Sequence, residues 1–183
     1  MAHCVAVMLR GQTAEAVRTL WSSLRSRWGL ELSHPDAAPH LTLVVVERLP
    51  RAELLRTGLT AEAAGWAPFL VSGAGYGFFP GHGHDSAVIH VALTRTPQLS
   101  ALQDAAAGAV TLAGGRVQGQ SESRYWRPHV TLADSELTPH LVGEVMDYLA
   151  ENGPKHWTVE VDNISMVAPD GSVAWRLPFN RVA

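Results

Sequence analysis

The chain uses one five-residue phrase twice. Pro39-His40-Leu41-Thr42-Leu43 returns as Pro128-His129-Val130-Thr131-Leu132, with four positions identical and one aliphatic exchange. Leu and Val runs around each copy read as extended strand. Side chains two apart on a strand share a face. His40 and Thr42 therefore point one way, and Leu41 and Leu43 the other. The second copy repeats this with His129 and Thr131 against Val130 and Leu132. Each copy buries two aliphatic groups and turns an imidazole and a hydroxyl outward. A fold for this chain has to supply two such half-buried strands and bring them near the centre of the molecule.

The flanking patterns repeat in the same order. Val5 to Leu9 reads as a strand, followed after Gly11 by a helix with Thr13 as its cap and Val17, Leu20, Trp21, Leu24 and Trp28 at helical spacing. Gly29 ends that helix, and Ser33-His34-Pro35-Asp36 reads as a turn. The first motif strand, His40 to Leu49, leads to a short helix containing Leu54, Leu55 and Leu59, and then to a glycine-loosened strand from Phe69 to Phe79. Val88 to Leu93 begins the cycle again. Thr96-Pro97 opens a helix carrying Leu99, Leu102, Ala106, Ala109 and Val110, which Gly114-Gly115 stops. After the second motif, Thr138-Pro139 opens another helix with Gly153 just past its end. Trp157 to Val167 reads as one strand, and Ser172 to Phe179 as the last, joined by an Asp170-Gly171 turn. The expected fold is α+β: a single domain of two duplicated halves, about 1–87 and 88–183. Two pseudo-symmetric lobes, each an antiparallel sheet with helices packed outside, would enclose a central cleft.

Composition narrows the function. A chain of 183 residues with 46% hydrophobic content can build one core, and its mean hydropathy is close to zero. A formal charge of −3 offers no general attraction to duplex DNA. Cys4 is the sole cysteine and sits in an apolar run, so it reads as a packing residue in a reducing compartment. Neither a signal peptide nor an apolar stretch of membrane-spanning length is legible. The expectation is a cytoplasmic monomer with no membrane partner.

Two imidazoles and two hydroxyls facing one cleft suit chemistry at a phosphate ester. In-line displacement at phosphorus needs the entering and leaving oxygens on opposite sides. A neutral imidazole accepts the proton of the entering group, and a protonated one supplies the leaving oxygen. A pKa of ~6.5 permits both states near neutrality. Thr42 and Thr131 can donate to the non-bridging oxygens, and no metal or other cofactor is required.

The paired His-x-Thr-x motifs, His40 to Leu43 and His129 to Leu132, resemble those of the 2H phosphoesterase superfamily. The branch most similar is the RNA 2′,3′-cyclic phosphodiesterases, also called 2′-5′ RNA ligases. The resemblance covers nearly the whole chain and implies the 2H phosphoesterase fold. It assigns His40 and His129 as the catalytic pair, with His40 the acid and His129 the base, and Thr42 and Thr131 as phosphate binders. It implies metal-independent hydrolysis of a 2′,3′-cyclic phosphate on an RNA or nucleotide end to a 2′-phosphate, and 2′-5′ ligation by the same groups. Many members carry a basic residue just after the second motif, where this chain has Ala133 and Asp134.

Other features are weighed beside this. Tyr125, Trp126 and Arg127 lead into the second motif and are candidates to stack on or hold a nucleotide, with Trp126 also suited to a core anchor. Phe78, at a strand end beside the cleft, is a further candidate. His82, His84 and Asp85 alternate in a loop without an evident further metal ligand, and read as a loop tip. Gly73-Ala74-Gly75-Tyr76-Gly77 lacks a P-loop lysine. His3, His34, His90, His140 and His156 read as surface or packing groups. Alternative functions are a non-catalytic nucleotide- or RNA-binding protein on the same fold, and the same chemistry on another cyclic-phosphate or 2′-5′-linked substrate. Intact His and Thr in both motifs favour an enzyme.

Overall fold

A computed structural model of the protein describes residues 3–30, 38–48, 51–80, 87–134 and 137–180. In chain order these form β1 (His3–Met8), α1 (Gly11–Trp28), β2 (His40–Arg48), α2 (Ala52–Ala64), β3 (Phe69–Pro80), β4 (Ala87–Leu93) and α3 (Pro97–Leu112). Then follow β5 (Arg116–Val117), a 3-10 turn (Gly119–Ser121), β6 (His129–Ala133), α4 (Pro139–Asn152), β7 (Thr158–Val161), β8 (Asn163–Val167) and β9 (Val173–Pro178).

The fold is α+β, with two antiparallel sheets and four helices. The first sheet runs β5-β2-β1-β8-β9 and the second β6-β4-β3-β7. Neighbours pair antiparallel throughout. Each motif strand lies beside the strand that opens its own repeat, β2 on β1 and β6 on β4. The third place in each sheet is filled from elsewhere in the chain. β3, which follows the first motif, completes the second sheet, and β8, which follows the second motif, completes the first. The sheets thus exchange strands across the duplication.

Local chemistry explains two helix ends clearly. Gly29 caps α1 in the left-handed region at φ 67°, its N–H donating to the Arg25 carbonyl. Thr96 caps α3, its hydroxyl accepting from the Leu99 N–H at 3.1 Å, with Pro97 in the first turn. Two expectations need correction. Thr13 is not the cap of α1: the helix begins at Gly11, and the Thr13 hydroxyl donates to the Thr158 carbonyl at 2.7 Å. The stretch Trp157 to Val167 is not one strand. It divides at Asp162 into β7 and β8, which belong to different sheets. The fully buried Asn163 side chain explains the corner, because it accepts from the Met8 N–H at 3.1 Å and donates to the Met8 carbonyl at 3.0 Å. The buried Asp162 carboxylate lies 3.4 Å from guanidinium nitrogens of both Arg10 and Arg176.

One continuous core runs through the molecule, drawing Val5, Val7, Leu41 and Leu43 from the first repeat and Ile89, Val91, Val130 and Leu132 from the second. β1 is buried on its other face too, where Cys4, Ala6 and Met8 pack with Val167 and Ala38. No helix among the described residues is long and apolar enough to cross a membrane.

Candidate active site

The two motif strands are built alike to the level of single hydrogen bonds. In the first sheet Met8 pairs with His40, Val7 with Leu41 and Ala6 with Thr42, and then the register slips so that Val5 meets Val44. In the second, Ala92 pairs with His129, Val91 with Val130 and His90 with Thr131, and Ile89 then meets Ala133. Leu43 and Leu132 are therefore the extra residues of two matching bulges. The bulge lets adjacent residues face the core together: Leu43 with Val44, and Leu132 with Ala133, are all buried. Just outside each motif the Pro carbonyl accepts from a leucine N–H, Leu9 to Pro39 at 2.9 Å and Leu93 to Pro128 at 3.0 Å.

The expected alternation holds before each bulge. His40, Thr42, His129 and Thr131 are half-buried, while Leu41 and Val130 are in the core. Both imidazoles are oriented by the backbone two residues earlier. His40 Nδ1 donates to the Ala38 carbonyl at 2.8 Å, and His129 Nδ1 donates to the Arg127 carbonyl at 2.7 Å. A carbonyl can only accept, so Nδ1 carries a proton in both rings and Nε2 is the atom left for proton transfer. Burial pushes the pKa of both rings below the ordinary histidine value, partly offset by these hydrogen bonds, and charge on His40 lowers His129 further. The two rings are within electrostatic reach, and a proton on one opposes a proton on the other.

The motif strands lie against each other although they belong to different sheets. Two indoles tie them reciprocally. Trp21 of α1 donates through Nε1 to the Thr131 carbonyl at 3.1 Å, and Trp126, from the approach to β6, donates to the Thr42 carbonyl at 3.0 Å. Each half of the chain thus holds the backbone of the other half's threonine. Thr42 also hydrogen-bonds the buried Cys4 thiol, which burial pushes up to about 11. Cys4 is accordingly a packing group and remains a thiol at neutral pH.

An open pocket of about 540 Å³ adjoins the second motif. Phe78, Tyr125, Trp126 and Arg127 all line it. Tyr125 exposes 58% of its surface, with the Arg124 guanidinium over its ring at 4.6 Å, whereas Phe78 pairs with Ile89 and so carries its side chain on the sheet face opposite to Gly77 and His90. Trp126 is buried, with Nε1 committed to Thr42 and the Arg95 guanidinium over its ring, so it forms wall. Arg95, which sequence reading passed over, holds this segment by donating to the Trp126 carbonyl and the Ser123 hydroxyl.

His90, read from the sequence as a surface or packing group, also stands beside the second motif. It is a buried residue on β4 opposite Thr131, with its ring 5.2 Å from that of His129. Phe79 stacks on it at 4.0 Å and meets His129 edge-on at 5.1 Å. Its alternation with Val88 and Ala92 was visible; that this face adjoins His129 depends on sheet pairing. Among the described residues no group of three or more His, Cys, Asp or Glu is placed to hold a metal ion. His82, His84 and Asp85 lie outside the described residues.

The model of the 2′-5′ RNA ligase superfamily matches residues 9–172. Among solved structures, TT0787 of Thermus thermophilus superposes with a TM-score of 0.69 at 20% identity, covering 100% of both chains. LigT of E. coli complexed with 3′-AMP superposes with a TM-score of 0.58 at 14% identity, covering 98% of each chain. A crystal structure described as a phosphoesterase gives 0.59 at 14%, covering 99% of this chain and 96% of that one. No curated protein matches at a significant level. The family model's match over residues 9–172, together with the paired motif strands, leads to one conclusion: this chain belongs to the 2′-5′ RNA ligase superfamily.

Proposed function

We propose that the protein is a phosphoesterase that opens a 2′,3′-cyclic phosphate at the end of an RNA or nucleotide, giving a 2′-phosphate. The observation that carries this is the identical presentation of His40 and His129, each with Nδ1–H on a backbone carbonyl and Nε2 left to act. His129, the ring whose pKa the other's charge lowers, takes the proton of the attacking water. Water forms the new P–O bond as the P–O3′ bond breaks, and protonated His40 delivers its proton to O3′. Thr42 and Thr131 donate to the non-bridging oxygens, and this hydrogen bonding strengthens as charge gathers there. Proton transfer is thereby supplied by side chains alone, and the reaction proceeds with chelator present. Run towards ligation, the same pair joins a cyclic phosphate to a 5′-hydroxyl.

Tyr125 and Arg127 offer the nucleoside an aromatic ring and a cation near His129, with Trp126 as the wall behind them. LigT structures complexed with 3′-AMP, NADP+ and ATP support a nucleotide ligand for this fold. The test is turnover of nucleoside 2′,3′-cyclic phosphates and cyclic-phosphate-ended RNA with EDTA present. His40→Ala and His129→Ala are each expected to lower kcat by about 10²–10⁴-fold with folding retained. Wild-type activity in either variant rejects the acid–base pair.

A further inference from the structure

The two sheets differ where they are otherwise most alike. In the first sheet the position opposite Thr42 is Ala6, which in turn pairs with Ser165 of β8. In the second, the position opposite Thr131 is His90, which pairs with Gly77 of β3. The missing side chain at Gly77 is what admits the ring: a Cβ there would stand 2.8 Å from His90 Nε2. Serine and asparagine fill the first sheet at Ser165 and Asn163, whereas glycine and His90 leave a pocket open in the second. The asymmetry concerns what the pocket accepts, since the proton-transfer residues themselves are matched.

We propose that His90 is a specificity-determining residue, its Nε2 accepting a hydrogen bond from an exocyclic amine on the base of the substrate nucleoside. This deepens the phosphoesterase reading and rests on it for the location of the phosphate.

Four observations converge. His90 lines the pocket beside the second motif, with Phe79 stacked against its ring to set the ring plane. Its Nδ1 lies 3.4 Å from the Val88 carbonyl, a long contact that favours the proton on Nδ1 and leaves Nε2 as an acceptor. Burial is the largest cause of its lowered pKa of about 4, and the charges of His129 and Arg127 add to it, so the acceptor persists at neutral pH. A phosphate oxygen is a poor partner for an acceptor. The exposed Tyr125 on the same pocket suits a planar base, and an amine on the base edge is the donor such a ligand brings. A buried acceptor left unpaired penalises the ligand that lacks the donor.

The experiment uses three pairs of nucleoside 2′-monophosphates that differ only in one exocyclic amine. They are adenosine and purine riboside, cytidine and 2-pyrimidinone riboside, and guanosine and inosine. Binding is measured by calorimetry at pH 7 on wild type, His90→Phe, His90→Gln and His40→Ala. At least one amine-bearing ligand should bind wild type about 10- to 100-fold tighter than its partner, as expected for a buried hydrogen bond. His90→Phe, which keeps the ring stack, should abolish that preference. His90→Gln, which keeps an acceptor, should retain part of it. His40→Ala should leave it intact. Equal binding within all three pairs, or a preference that survives His90→Phe, overturns the proposal. A preference that depends on His90, in a protein that turns over no cyclic phosphate, would instead reject the phosphoesterase reading and leave this one standing.

Discussion

At the scale of single residues, the proposed chemistry rests on the protonation of a coupled pair. The proposed reaction needs one proton shared between His40 and His129. Burial lowers both rings below the usual ~6.5, and their mutual repulsion separates the two macroscopic steps. The singly protonated pair lies between those steps. The pH profile of kcat/KM, which reports the free enzyme, should therefore be a bell with its maximum below pH ~6.5. A bound phosphate favours protonation, so the kcat profile should lie to its alkaline side. A kcat/KM maximum near pH 8 would reject the two-imidazole scheme. His90 makes a separate prediction about stability. Its folded pKa of about 4 lies below the unfolded value of ~6.5, so the unfolded chain binds the extra proton between these values. Its contribution is fully present above pH 6.5 and is lost as pH falls towards 4. The melting temperature should decline through that window, and less steeply in His90→Phe. The motif residues were legible because repetition doubled a weak signal, and alternation alone put His40 with Thr42 on one face. His90 was not, because a lone histidine in an apolar strand reads as packing until its cross-strand neighbour is known.

At the scale of elements, the reciprocal indole bonds decide how well the two motif strands are held. β5 pairs with β2 only at Val46 and Arg48, and β6 is an edge strand. Each threonine carbonyl therefore depends on an indole from the other half of the chain. Trp21→Phe keeps most of the ring and removes the donor to Thr131. It should cost about 1–2 kcal/mol of stability. Because Trp21 lies on α1 and is absent from the pocket lining, kcat should fall while KM for a small cyclic phosphate stays near wild type. An unchanged kcat alongside a lowered melting temperature would make the bond purely structural. Helices and most strands were readable from periodicity and caps. The break at Asp162 was not, because it depends on Asn163 reaching a backbone more than a hundred residues away. The Thr13 cap failed for a similar reason: the hydroxyl is drawn to Thr158 on β7.

At the scale of the whole molecule, exchanged strands and a continuous core join both halves. Residues 1–87 and 88–183 expressed separately should each fail to give a sharp thermal transition, and mixing them should restore one if they can still pair. Independent melting of either fragment would show the duplication to be two domains. The strand exchange also sets the timing of folding. β1 is synthesised well before its β8 neighbour, as the Met8–Asn163 contact spanning 155 positions records. Until then β1 has an unpaired side and β3 lacks its β7 neighbour, so both are open to pairing with other chains. Such long-range closure slows folding. Synthesis of β8, rather than emergence of the first motif, is then the step that lets the first sheet close around β1 and the two motif strands be held together.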